Sequence, residues 1–144
     1  MEQCVAFAQA TTEERVLAYG ALCQGHYQLV RGEFKASEAS LNSAMTRFET
    51  TGDQQGMWMV LPVWAETLRF QGRFSEVLVR LYEALPDARD SETPLHYYQI
   101  LLAIARCETD LCRLGLAQEC VDELEVNLRP VSYTHLTLPT ICSV

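Results

Sequence analysis

The stretch QGRFSEVLVRLYEAL, residues Gln71–Leu85, decides how this chain folds. A glycine, an aromatic residue two positions later and then a helical apolar period are typical of the turn and second helix of a helical hairpin. The same pattern occurs forty residues earlier in RGEFKASEASLNSAM, residues Arg31–Met45, with glycine, phenylalanine, leucine and alanine at one constant offset. An internal repeat of this length predicts a helical solenoid, in which each hairpin packs on the next.

Apolar periodicity predicts further helices on both sides of these two segments. We expect a short helix over Glu2–Ala10, followed by one hairpin that turns at Gly32 and a second that turns at Gly72. A third hairpin is expected to turn at Gly115, although this spacing is longer and no aromatic residue follows it. The predicted fold class is therefore all-α: a right-handed α-solenoid of about seven helices, with one short first helix and three antiparallel hairpins.

Caps and breakers set the expected helix ends. Thr11 or Thr12 is expected to cap the second helix. TTGD at Thr50–Asp53 breaks the chain before the fourth helix, which Asp53 or Thr51 is expected to cap. Proline lacks a backbone donor, so we expect a kink or a helix start near Pro62 and a helix end at Pro86.

Gly25 lies in the middle of a predicted helix, where glycine costs about 1 kcal/mol relative to alanine. Such a cost is accepted where two helices approach closely. We therefore expect a neighbouring helix to pack against Gly25.

Composition excludes several functional classes. The net charge of −8 with a single lysine, Lys35, argues against a nucleic-acid surface, which needs clustered basic residues. No stretch reaches the roughly 20 apolar residues of a membrane span, and the first residues do not form a secretory signal. The six cysteines contain no C-x-x-C pair, which favours a reduced cytoplasmic protein over a disulfide framework.

No catalytic constellation is present among the motifs of the sequence. Cys23 and His26 share a helix face, but two ligands make half a metal site, so we interpret both as packing residues. The aromatic patch His96–Tyr98 is expected to straddle core and surface, and the acidic run Glu119–Glu125 to be a solvated face. We therefore expect no catalytic residue, no metal and no cofactor in this segment.

The character of the chain changes after Pro130. The string VSYTHLTLPT, Val131–Thr140, resembles the translation of an adapter used in sequencing libraries. The resemblance implies that residues 131–144 are a non-native, unstructured tail and that residues 1–130 are a repeat domain from a longer protein. The alternative is a genuine C-terminal edge strand or loop.

Two sets of residues recur at matching positions of the first two hairpins: Gly25, Gly32, Phe34, Ser37, Leu41 and Ala44, then Ala65, Gly72, Phe74, Val77, Leu81 and Ala84. With these residues the hairpins resemble tetratricopeptide repeats, which place a small residue midway along the first helix and an aromatic residue after the turn. The departures are Val77 where alanine is usual, Gln24 where leucine is usual, and a period near forty instead of 34. The longer period and the TTGD connector resemble variant repeats found ahead of diguanylate cyclase (GGDEF) domains and in large LuxR-type regulators of bacteria.

This resemblance implies a non-catalytic interaction or sensory module of a bacterial signalling protein, placed before a diguanylate cyclase domain. The alternatives are the interaction region of a LuxR-type transcription regulator and a free-standing adaptor. The implied partner is a protein, a peptide or a neighbouring domain, and neither nucleic acid nor membrane. First helices line the concave surface of such repeats, so the implied partner-binding groove contains Tyr19, His26, Leu29, Met59, Glu66 and Arg69.

Overall fold

A computed structural model describes the backbone of residues 2–142 and the side chains of residues 10–128. The described backbone contains no strand, which confirms the all-α prediction, and its helices number six instead of about seven. They are α1 (Glu2–Val30), α2 (Phe34–Thr51), α3 (Gln54–Phe70), α4 (Phe74–Arg89), α5 (Pro94–Asp110) and α6 (Leu114–Cys142). None of these helices, over the residues described, is both long and apolar enough to cross a bilayer.

The helix count differs because α1 is continuous over 29 residues. The predicted short helix Glu2–Ala10 is its first part, and the predicted start at Thr11 or Thr12 is wrong. Threonine costs well under about 1 kcal/mol in a helix interior, and neither glycine nor proline interrupts this region. The helix was predicted from an apolar stripe of Cys4, Val5, Phe7 and Ala8, whose side chains lie outside the described residues.

The three hairpin turns share one left-handed backbone conformation. Gly32 and Gly72 both have φ +76°, in the region that favours glycine, as predicted. In the third turn this conformation belongs to Cys112, with φ +58°, whereas Gly115 lies inside α6. The prediction of a turn at Gly115 is therefore wrong. Cys112 follows Gly72 by the same forty residues that separate Gly72 from Gly32, so the third hairpin keeps the period.

The backbone hydrogen bonds of these turns are also the same. The N–H of the left-handed residue donates to the carbonyl three positions earlier, and the next N–H donates five positions back, as in a Schellman cap. The donor–acceptor distances are Gly32 to Leu29 2.9 Å, Gly72 to Arg69 2.9 Å, Cys112 to Thr109 2.9 Å, Glu33 to Gln28 2.9 Å, Arg73 to Leu68 3.0 Å and Arg113 to Glu108 2.8 Å.

The connector between α2 and α3 behaves as predicted. Gly52 takes a left-handed conformation with φ +66°, and the Asp53 carboxylate accepts the N–H of Gly56 at 2.9 Å. Asp53 therefore caps α3. That helix then runs through Pro62 without ending, so a helix start near Pro62 is wrong.

Helix α4 continues past Pro86 to Arg89, where the sequence predicted an end at the proline. The missing donor of Pro86 removes one helical hydrogen bond. Packing offsets this loss, because Ala88 in the following turn is completely buried. Only residues 90–93 therefore connect α4 to α5.

Helix α6 runs to Cys142, although an unstructured tail was expected from Val131. Extending a helix is easier than nucleating one, so helix at Leu128 can propagate into sequence with weak helical signals. Side chains from residue 129 onward lie outside the described residues. The non-native origin of residues 131–144 stays a prediction.

Each helix contacts the next one in the chain, and α3 also contacts both α1 and α5. The close approach predicted at Gly25 is confirmed, since a Cβ there would lie 2.6 Å from Cγ of Leu41. The largest fully buried apolar side chains that fill the core are Phe48, Leu41, Leu68, Leu81, Ile100, Leu101, Ile104, Val60 and Val77.

Candidate partner-binding groove

Three of the six predicted groove residues lie on α1. The Tyr19 ring packs edge-on against Phe48, with centroids 4.9 Å apart and an interplanar angle of 75°. Tyr19 is therefore partly a core residue. Leu29 is half-buried, and His26 is exposed to solvent.

The other three predicted groove residues follow one face of α3. Met59 is exposed, whereas Glu66 and Arg69 are half-buried. Arg69 holds the Glu66 carboxylate with two hydrogen bonds, Nη2 to Oε1 at 2.7 Å and Nε to Oε2 at 3.1 Å. A paired guanidinium–carboxylate contact of this kind is both strong and directional.

Two residues of α5 extend this pair into a charge ladder, which we define as Asp110, Arg69, Glu66 and Arg106. The Arg69 guanidinium also donates to Asp110, and Arg106 Nη1 lies 3.6 Å from Glu66 Oε2. The ladder joins α3 to α5. The Arg106 side chain remains 53% exposed, so its guanidinium can still donate hydrogen bonds to a further anionic group.

The pKa values of Glu66 and Arg69 favour the charged state of this pair. Hydrogen bonds from Arg69 lower the pKa of Glu66, attraction by Arg69 and Arg106 acts in the same direction, and burial opposes them. The pKa of Arg69 is raised, first by its hydrogen bond with Glu66. The two carboxylates and two guanidinium groups of the ladder contribute equal and opposite formal charge.

A solvent-open groove of about 530 Å³ lies along the ladder. It brings together Glu66 and Arg69 of the six predicted residues, and its lining does not include Tyr19, His26, Leu29 or Met59. Its remaining lining residues are Leu102, Ala105, Arg106, Thr109, Asp110 and Val121. The groove therefore combines an internally neutralised charged floor with apolar walls from α5 and α6.

Arg106 and Asp110 were not predicted as groove residues from the sequence. The forty-residue offset was the signal that could have found them, because it relates Arg106 to Glu66 and Asp110 to Phe70. Their partners, however, depend on how α5 lies against α3. That register is a property of the packing.

The other candidates from the sequence pack into the fold or face solvent. His96 and Tyr97 are buried, and the Tyr97 hydroxyl donates to Glu123. Cys23 and His26 are both exposed, so their interpretation as packing residues is wrong. The described residues contain no group of three or more potential metal ligands. Burial raises the pKa of Cys107 to about 11, so this thiol is protonated at neutral pH.

Comparisons of the chain with protein-family models, with curated proteins and with solved structures gave no match. The geometry of the chain therefore carries the functional argument.

Proposed function

We propose that this chain is a non-catalytic protein-interaction module built as a tetratricopeptide-like, right-handed α-solenoid. The supporting observation is a row of helices: α1 contacts α3, and α3 contacts α5, across hairpins whose turns recur every forty residues. A row of first helices presents one continuous surface, which suits the binding of an extended or helical partner.

The proposed partner is an amphipathic helix or peptide that docks along this row. Met59 and Leu102 offer exposed apolar surface, and the groove beside the ladder is wide enough for side chains. Because most of the ladder charge is already paired, Arg106 is the group that remains accessible to an acidic residue of the partner.

The proposed setting is a cytoplasmic regulatory segment of a bacterial signalling protein, with a diguanylate cyclase (GGDEF) domain following residues 1–130. The resemblance of the period and of the TTGD connector to such variant repeats supports this setting. In that arrangement the partner is a neighbouring domain of the same chain, and the repeats regulate without catalysing.

Binding can be tested with peptides selected from a phage-displayed random library on the immobilised chain. The selected peptides are then titrated by fluorescence anisotropy against Met59→Glu and against Leu116→Glu. Leu116 is a matched control because it is exposed to a similar extent as Met59 but lies on α6, outside the row formed by α1, α3 and α5.

Met59→Glu should weaken peptide binding about tenfold or more, since a charge would be placed in an apolar contact. The double variant Glu66→Ala with Arg69→Ala should also weaken it, and Leu116→Glu should not. Selection of no peptide, or equal affinity for Met59→Glu and wild type, would count against docking along the row of first helices.

A further inference from the structure

Helices α2 and α4 both pack on α3 and leave a gap between them. Each contacts α3, but no Cα atom of α2 lies within 8 Å of a Cα atom of α4. Two cavities of about 260 and about 380 Å³ open in this gap, and Arg80 and Glu83 line both of them. The cavities are therefore parts of one channel. We call it the outer groove and define it by Glu49 of α2, Leu61 and Trp64 of α3, and Val79, Arg80 and Glu83 of α4.

The outer groove lies on the opposite side of α3 from the groove beside the charge ladder. Successive residues of an α-helix are about 100° apart, which places Trp64 about 160° from Glu66 and about 140° from Arg69 around the helix axis. The two grooves have no lining residue in common. A partner in the outer groove would therefore leave the ladder and the row of first helices free.

The floor of the outer groove is apolar and its α4 wall is exposed. Leu61 and Trp64 on the floor are 3% and 6% exposed, whereas Val79 on the wall is 61% exposed. Val79, Arg80 and Glu83 follow each other at steps of one and three residues, so their side chains point to one side of α4. An apolar side chain that enters the groove can therefore contact Val79 and the floor together.

The charged residues of the outer groove leave one carboxylate uncompensated. Glu49 pairs with Arg80 at 3.3 Å. Glu76, at the rim of the larger cavity, accepts from Arg73 Nε at 2.9 Å and from Nη2 at 2.8 Å. Glu83 is exposed and has no hydrogen-bond or ion-pair partner in the part of the chain that the structure describes. The groove is therefore complementary to a basic side chain.

The ion pair between Arg80 and Glu49 crosses the outer groove from α4 to α2. Arg80 borders both cavities, so the pair lies where they meet. The two side chains are 44% and 57% exposed, and exposed ion pairs contribute little to stability. Rotation of Arg80 towards solvent therefore costs little. It would join the two cavities and release Glu49 as a second acceptor beside Glu83.

We infer that the outer groove is a second binding surface, and that its occupant is a segment of another protein with an arginine or lysine beside an apolar residue. The basic side chain pairs with Glu83 and replaces Arg80 on Glu49, while the apolar side chain packs on Val79. Charge disfavours a second copy of this chain as the occupant, because each copy carries a net charge of −8. The inference rests on residues outside the row of first helices and is independent of the proposed function.

The probe is a set of tryptophan-free peptides selected from a phage-displayed random library on the immobilised Met59→Glu variant. This variant carries a charge in the row of first helices, so selection favours other surfaces. The selected peptides should be enriched in arginine or lysine next to apolar residues. Their binding, measured by fluorescence anisotropy, should weaken as salt is added, because salt screens the attraction to carboxylates.

Two substitutions test the charged and the apolar part of the outer groove. Glu83→Lys should weaken binding of the selected peptides about tenfold or more, because like charges would then face each other. Val79→Asn should weaken it about fivefold, since an apolar contact is lost. Glu125→Lys and Val126→Asn are the matched controls: both residues are exposed on α6, Val126 at 68%, and neither should change the affinity.

Removal of the bridging guanidinium should act in the opposite direction. Arg80→Gln frees Glu49, so it should strengthen peptide binding about threefold. Arg31→Gln is the control, because it also breaks an exposed ion pair, with Glu33 at 2.7 Å, and changes the net charge equally. A general effect of net charge would move both variants alike. A specific role of Arg80 predicts a gain in that variant alone.

Each variant is first checked for folding by far-ultraviolet circular dichroism. The inference would be overturned by selection of no peptide, by selected peptides without basic residues, or by equal affinities of Glu83→Lys and Glu125→Lys. Weaker binding to Arg80→Gln would also contradict it. Self-association of wild type that Val79→Asn abolishes would identify a second copy as the occupant instead. Peptides that dock along the row of first helices should bind Glu83→Lys unchanged, so the two proposals fail separately.

Discussion

Replacing Gly25 with alanine tests the contact that sets the distance between α1 and α2. The new Cβ would lie 2.6 Å from Leu41 Cγ, 2.7 Å from its Cδ2 and 3.3 Å from the Ser37 carbonyl oxygen. Leu41 is completely buried, so it has little room to move away. The two helices would have to separate or Leu41 would have to adopt a poorer rotamer.

Two opposing terms set the size of the effect. Alanine in place of glycine stabilises a helix interior by about 1 kcal/mol, whereas overpacking a core costs about 1–3 kcal/mol. We expect Gly25→Ala to lower the free energy of unfolding by about 1 kcal/mol. Gly20 lies in the same helix with nothing within 4 Å of an added Cβ, so Gly20→Ala should raise it by about 1 kcal/mol.

Urea denaturation followed by circular dichroism measures both changes in the free energy of unfolding. Both substitutions gain the same helix propensity, so the difference between them gives the cost of the contact at Gly25. In a Leu41→Ala background, which itself costs about 2–5 kcal/mol, Gly25→Ala should become stabilising because the clash is gone. If Gly25→Ala stabilised wild type as much as Gly20→Ala does, the close approach of α1 and α2 would be refuted.

Two further predictions concern the cap and the charge ladder. Asp53→Ala removes the acceptor for the Gly56 N–H and should lower the free energy of unfolding in urea by about 1 kcal/mol. Asp53→Asn keeps a capping oxygen and loses mainly the 3.0 Å ion pair with Arg15, so it should lower this free energy by about 0.5 kcal/mol or less. Equal losses for both variants would contradict the cap. Because the pKa of Glu66 is lowered in the folded state, its stabilisation is complete above the unfolded value of about 4.3 and is lost as pH falls through the folded value. Glu66→Gln should therefore lose less stability than wild type as pH falls from about 5 to 3, as measured by thermal unfolding. If the stability of the two proteins falls equally over this range, the Glu66 carboxylate makes no such contribution.

The parts of the fold that depend on glycine geometry could be predicted from the sequence. Gly32 and Gly72 mark their turns because a left-handed residue is least costly as glycine, and Gly25 marks a close approach because a side chain would collide there. The third turn gave no such signal. Cys112 adopts the left-handed conformation despite its side chain, and the turn was predicted at Gly115, three residues too late.

Helix ends and groove partners depended on packing that a linear pattern does not contain. Pro86 carries a local signal to end α4, but the burial of Ala88 extends the helix by a turn. Arg69 was predicted as a groove residue, yet its partner Asp110 lies 41 residues away on another helix. Only the arrangement of α3 against α5 brings those two side chains together.

The turn position occupied by Gln28, Leu68 and Glu108 shows what is common to the three hairpins. Each residue accepts the same backbone hydrogen bond, although one side chain is an amide, one apolar and one a carboxylate. Glu108 is buried, and a buried carboxylate requires polar partners. Arg113 Nη1 lies 3.5 Å from it and the Tyr82 hydroxyl 3.4 Å, both from the neighbourhood of the third turn. The three turns therefore share their backbone geometry, while local partners accommodate the change of side chain. Side-chain similarity is accordingly weaker in the third hairpin, although its turn keeps the forty-residue period.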